Sequence, residues 1–251
     1  MKLFGQKKSH ELLKGFLFGF LDDQSMNVVD AILGNIDVII DILCPDEKSG
    51  QATEFINAYF SKLLALHGKI KAKSWRVETK FVTKLSCLLN FVNEERMRSV
   101  LLPIFKTVLL TSPPECKAEV CDLLSQILTG FCQNPMRLEI HSLIKSLAVS
   151  PSCHDRQTFL LFIQVLLNRM SKHYFKDYFL LQTLALGDDR VVGVKMKFCA
   201  IACDIKQNLL KEDIKSSDRL FALIDGIIKK TTCKSLKEVC RVIINSFRVE
   251  S

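Results

Sequence analysis

Residues Leu180–Lys206 read LLQTLALGDDRVVGVKMKFCAIACDIK, an apolar helix, an Asp-bearing turn and a second amphipathic helix without a gap. A looser version, FLFGFLDDQSMNVVDAILGNIDVIIDIL, occupies Phe16–Leu43. Asp189 precedes Val194 by the same interval as Asp23 precedes Val28. A helix–turn–helix unit that recurs cannot bury its apolar face alone and must stack on its neighbours. The reading is therefore an all-α solenoid, an architecture whose usual work is to hold other proteins.

Outward from these stretches, six helical pairs are predicted. They are His10–Leu21 with Met26–Leu43, Thr53–Ile70 with Ser74–Phe91, and Glu94–Leu110 with Pro114–Phe131. Pro135–Val149 with Ser152–Met170, Lys172–Leu186 with Arg190–Lys206, and Glu212–Lys230 with Cys233–Arg248 complete the set. The repeats then run approximately 10–44, 51–91, 94–131, 134–170, 171–206 and 212–248, one array over residues 1–251. Their period of about 40 residues is that of HEAT-type arrays. Prolines are expected at the breaks, where a missing N–H costs least, as at Cys44-Pro45, Pro113-Pro114 and Pro151. The inner helices carry core stripes: Val28, Ile32, Ile36, Ile39 and Leu43 in the first pair, and Val194, Phe198, Ile201 and Ile205 in the fifth. The first helix, HELLKGFLFGFL, is apolar nearly all round and needs cover on two sides. Missing N-terminal repeats of a longer array, or a partner, would provide it.

Composition narrows the function classes. With 48% hydrophobic residues and no low-complexity tract, the chain is expected to fold. Apolar runs such as LLPIFKTVLL are broken by Lys or Asp, so no membrane span is predicted. The ten cysteines include Cys87, Cys121, Cys199, Cys203 and Cys240 at apolar helical positions, and no C-x-x-C pair occurs. They read as reduced, buried thiols rather than as metal ligands or disulfides, which fits a cytoplasmic or nuclear protein. No phosphate loop, G-x-S-x-G or H-E-x-x-H is present. No catalytic residue, metal or cofactor is expected. The net charge of +8 reads either as a solvated surface or as favouring encounter with an acidic partner or nucleic acid, without saying which.

Four stretches, FLDDQSMNVVDAIL (Phe20–Leu33), KSWRVETKF (Lys73–Phe81), LLPIFKTVLLTS (Leu101–Ser112) and the block His154–Cys199, follow one another in a recognisable order. Together they resemble the HEAT-repeat subunits of Ser/Thr protein phosphatases. The likeness is to the A-type scaffolding subunits of protein phosphatase 2A and, more closely, to the regulatory subunits 4 of protein phosphatase 4, over roughly residues 16–248. The resemblance implies a non-catalytic subunit whose inter-helix turns dock a metallophosphatase catalytic subunit, with Trp75 and Arg76 among the contacts. The family's Asp-Pro turn reads Asp189-Arg190 here, and its Asn-Val-Arg reads Gly193-Val194-Lys195.

Partner-binding candidates are accordingly Trp75, Arg76, His154, Arg156, Asp189, Arg190 and Lys195. Trp75 reads either as an exposed anchor or as a half-buried residue closing its turn. Asp23 and Asp189 suit helix N-caps, and Lys195 suits an ion pair with an Asp of the adjacent repeat. Two other classes compete with a phosphatase scaffold. A trafficking or transport adaptor would take peptide or GTPase partners. A HEAT-like DNA glycosylase would need a basic, aromatic-lined face, for which one Trp and three Tyr are thin material, so nucleic acid is not expected.

Overall fold

The computed structural model describes residues 6–44, 50–130 and 134–249, and every element among them is helical. The fold is all-α. By contacts the chain divides into two compact units, residues 1–123 and 124–251. The first holds α1 (Gln6–Leu21), α2 (Met26–Gly34), α3 (Ile36–Leu43), α4 (Gly50–Lys71), α5 (Trp75–Lys84), α6 (Glu94–Arg96), α7 (Leu102–Thr111) and the start of α8 (Pro114–Gly130). The second continues with α9 (Asn134–Ala148), α10 (Cys153–Leu167), α11 (Lys172–Tyr178), α12 (Leu180–Ala185), α13 (Val192–Ala200), α14 (Ala202–Gln207), α15 (Ile214–Lys230) and α16 (Lys234–Val249). Pro45 and Phe131, predicted to close the first and third pairs, lie outside the described residues.

In each unit a helix packs on its chain neighbour and on a helix about one repeat away. In the first, α2 lies against α1 and α5, and α4 against α5. In the second, α10 lies against α9 and α13, and α16 against α13 and α15. That is the contact pattern of an α-solenoid. Polar side chains follow the same spacing. Lys62 meets Asp22 at 2.5 Å, Lys80 meets Asp30 at 2.6 Å and Lys84 meets Asp37 at 2.5 Å, over separations of 40, 50 and 47 residues. Such half-exposed pairs contribute about 0–1 kcal/mol each, so apolar burial sets the stability and the pairs set the register.

The core stripe predicted for the fifth pair holds: Val194, Phe198, Ile201 and Ile205 are fully buried. The first pair differs. Its buried residues are Val29 and Leu33, then Ile36, Ile40 and Leu43. At three of its five positions the stripe falls one residue later than predicted, a rotation of about 100°, while Ile36 and Leu43 hold. The predicted single helix Met26–Leu43 is broken at Asn35 (φ −117°, ψ 7°), whose amide bonds Ile32 O three residues back at 3.0 Å. The same break recurs at Ile201 (φ −106°, ψ 5°), with its amide on Phe198 O at 3.2 Å. Each break stands ten residues past its helix's N-cap, Ser25 and Val191. In α5 the tenth residue past Ser74 is Lys84, where the helix gives way to a 3₁₀ stretch over Leu85–Phe91.

Outer helices also depart from the single rods predicted. The stretch over Lys172–Leu186 is interrupted at Phe179 (φ −132°, ψ −21°). The one over Glu94–Leu110 is continuous but widens into a π-helix over Met97–Leu101. Pro103 follows shortly after, inside the helical run, as the predicted span Glu94–Leu110 has it. Its ring would meet the carbonyl four residues back in a regular α-helix, and the widened turn relieves that clash. On α1, Leu17 and Leu21 are buried while Leu12, Leu13, Phe16 and Phe20 are exposed, so among the described residues the helix is covered on one side.

Candidate functional site

The turn after α4 presents the most exposed aromatic candidate. Ser74 caps α5 by accepting from the Val77 amide at 3.4 Å, so the helix begins at Trp75. Trp75 is 40% exposed, and the Arg76 guanidinium lies over its indole at 4.6 Å. The stack pre-orders both side chains, which lowers what a partner must freeze on binding. Arg76 is exposed and forms no ion pair among the described residues.

Lysines brace this turn from behind. Lys73 donates to Gln24 O at 3.2 Å, and Lys69 donates to Leu21 O at 3.3 Å and to Asp23 O. Lys71 donates to Thr111 Oγ1. The basic run thus fastens neighbouring turns to each other.

A buried polar cluster lies beneath. Glu78 Oε1 accepts from His67 Nε2 and from Ser112 Oγ, both at 2.9 Å. The three residues are 2%, 4% and 7% exposed. Burial opposes ionisation of Glu78, but the bonds from His67 and Ser112 outweigh it and hold its pKa below the ordinary carboxylate value. Ser, His and Glu are the types of a hydrolase relay, yet Ser112 and His67 both address the carboxylate and no Ser–His bond exists. Nothing here activates a nucleophile. Sequence reading missed the cluster. Its one signal was an acidic residue among the core positions Val77, Phe81 and Val82.

In the second unit, two of the predicted residues are joined to each other. Arg156 donates from Nε to Asp189 Oδ2 at 2.5 Å and from Nη2 to Asp189 Oδ1 at 3.0 Å. Its Nη1 donates to Ser150 O and Pro151 O at 2.8 and 3.0 Å. The bond to Asp189 raises the Arg156 pKa. Burial opposes charge on Asp189, but Arg156 and the Val191 amide prevail and lower its pKa. Arg156 is only 7% exposed and fastens the turn before α10 to the turn before α13.

Asp189 is not an N-cap as expected. Its Oδ1 accepts from Val191 N at 2.8 Å, two residues on, and Val191 is the N-cap residue. Asp23 does the same with Ser25 N at 2.7 Å. The two acidic turns are equivalent, but as Asx turns leading into the cap. Lys195 forms no ion pair among the described residues; Lys197 reaches the adjacent helix instead, at Gln164 Oε1, 3.4 Å. His154 and Arg190 are exposed.

Two glycines mark close approach here. A Cβ on Gly187 would stand 3.0 Å from both Leu223 Cδ1 and Phe198 Cε1. One on Gly193 would stand 2.8 Å from Gln157 Nε2.

His141, also unforeseen, is 3% exposed and bonded to the Tyr174 hydroxyl. Burial, with Lys145 and Arg137 adding to it, pushes its pKa down to about 4. It borders an open groove of about 560 Å³ with Leu138, Ser142, Lys145, Ser146 and Tyr178, and its Nε2 is taken up by Tyr174. Among the described residues there is no group of three His, Cys, Asp or Glu suited to a metal ion, and no helix long and apolar enough to cross a membrane.

No family model matches the chain. It is similar to serine/threonine-protein phosphatase 4 regulatory subunit 4 of Homo sapiens, 23% identical over 234 residues, 90% of this chain and 26% of that protein. The Mus musculus protein of the same name is 24% identical over 234 residues, with the same coverage. The chain spans about a quarter of the length of the curated relatives it matches. The match supports a relationship to a phosphatase regulatory subunit.

Proposed function

We propose that this chain is a non-catalytic scaffold of HEAT-type repeats that binds and positions the catalytic subunit of a Ser/Thr protein phosphatase through its inter-helix turns. The observation that carries the reading is the Trp75–Arg76 stack, half-exposed at the start of α5 on a turn braced by three lysines. Trp and Arg dominate binding hot spots because one buries a large rigid surface and the other donates several directed bonds. In the second unit the exposed His154 and Arg190 flank the Arg156–Asp189 clamp and offer a further contact region. The relationship to a regulatory subunit supplies the partner class, and the reduced thiols fit a cytoplasmic setting.

Chemistry would stay with the partner's own metals, and the scaffold would select which phosphoprotein reaches them. The test is co-purification from cell extract with identification of the proteins retained. Wild-type protein should retain a Ser/Thr phosphatase catalytic subunit, and a Trp75→Ala/Arg76→Ala variant should lose at least 30-fold in affinity, since one hot spot is worth about 2 kcal/mol. Retention of a phosphatase unchanged by the double substitution refutes the docking site. Retention of peptide or GTPase partners alone favours a trafficking adaptor.

A further inference from the structure

We infer that Glu78, His67 and Ser112 are positioning residues for docking: their buried junction fixes the angle at which α5 presents Trp75 and Arg76. The inference deepens the docking reading and rests on it for its functional consequence, though not for its structural one.

Side chains from three helices meet at one oxygen. His67 comes from α4, Glu78 from the first turn of α5, and Ser112 is the residue that ends α7. An ionised carboxylate only accepts, so His67 Nε2 and Ser112 Oγ must both donate to Glu78 Oε1. The His67 ring also stacks on Phe81, one turn further along α5, with centroids 5.7 Å apart. The Trp75 end is gripped separately. Its carbonyl accepts from Thr79 Oγ1 at 3.0 Å and from Cys116 Sγ at 3.4 Å, and Cys116 lies 2.8 Å from Thr79 Oγ1. Glu78 N donates to Ser74 O at 3.0 Å, which ties the junction to the capping residue beside Trp75. Lys71 further favours the ionised form of Glu78. An apolar residue would fill this space as well. What the carboxylate adds is direction, because its bonds hold only at one angle between α4, α5 and the Ser112 turn.

Trp75 is the only tryptophan in the chain, so its emission reports this corner alone. The experiment compares wild type, Glu78→Gln and Ser112→Ala in the full chain by Trp75 anisotropy, acrylamide quenching and affinity for a purified phosphatase catalytic subunit. Gly187→Ala, whose added methyl would crowd Leu223 and Phe198 in the other unit, is the control for general destabilisation. Glu78→Gln should raise quenching about twofold and lower anisotropy in a protein with wild-type helical content, and should weaken binding about tenfold. Ser112→Ala should move each readout the same way by less, and it serves as the deciding variant where Glu78→Gln does not fold. The control should leave Trp75 unchanged. Wild-type quenching and anisotropy in the folded Glu78→Gln and Ser112→Ala variants, or equal changes in the control, overturn the inference. Altered Trp75 signals with no phosphatase binding even by wild type leave the junction standing and sink the docking reading instead.

Discussion

Arg156 and Asp189 meet in a two-pronged contact, with side chains only 9% and 6% exposed, across two turns that the sequence separates by 33 residues. A bidentate pair of this kind fixes distance and plane together, so it sets the register of α10 against α13. Removing one partner leaves the other charge buried and unpaired. Arg156→Ala and Asp189→Asn should each lower the free energy of unfolding by about 3–5 kcal/mol in urea titrations. The double variant Arg156→Met/Asp189→Leu should lie closer to wild type than either. Because the Asp189 pKa is lowered on folding, its contribution is present above its ordinary value of 3.8 and is lost as pH falls below it.

The two tight glycines should differ in their tolerance of a methyl group. At Gly187 the new atom meets Leu223 and Phe198 inside the core, whereas at Gly193 it meets the far end of Gln157. Gly187→Ala should cost about 1–3 kcal/mol and Gly193→Ala under about 1 kcal/mol. Comparable thermal midpoints for the two would contradict this packing.

Stability should also depend on pH through His141. Its folded pKa of about 4 lies below the ordinary 6.5, so between these values the unfolded chain binds more protons. The contribution is complete above pH 6.5 and is lost as pH falls toward 4, by about 3 kcal/mol at most. His141→Phe should flatten the curve over that interval when unfolding free energies are measured at half-unit steps. A slope unchanged by the substitution assigns the dependence to other groups.

Thiol labelling offers a fourth check. Burial pushes Cys44 up to about 11 and Cys87 up to about 12, and it raises Cys199 and Cys240, whose sulfurs lie 3.5 Å apart. The thiolate is the reactive form. At pH 8 the native protein should leave these four unmodified by iodoacetamide over an hour, and urea should open all of them. Rapid native labelling at Cys199 would show that α13 and α16 part readily.

Periodicity carried the fifth pair because Val194, Phe198, Ile201 and Ile205 offer one apolar phase. In the first pair, Val28-Val29, Ile32-Leu33 and Ile39-Ile40 place apolar residues side by side, so two phases fit equally and packing decides between them. The helix start beside Trp75 was legible, with Ser74–Phe91 predicted and α5 beginning at Trp75, but the sequence left open whether the indole is an exposed anchor or closes its turn. Arg156–Asp189 and Glu78–His67–Ser112 were not legible, because contacts between turns obey no helical period. An Asx turn and an N-cap also draw on the same residue types, which is why Asp23 and Asp189 were placed two positions off.

The recurrent breaks leave α2, α3, α5, α13 and α14 with nine, eight, ten, nine and six residues. All fall short of the roughly 12–15 that an isolated helix needs in water. None is autonomous; each persists only while its neighbours clamp it. Excising any one module therefore strips support from the next, and a protease given an end to start from should unravel each stack stepwise instead of releasing a durable helical peptide.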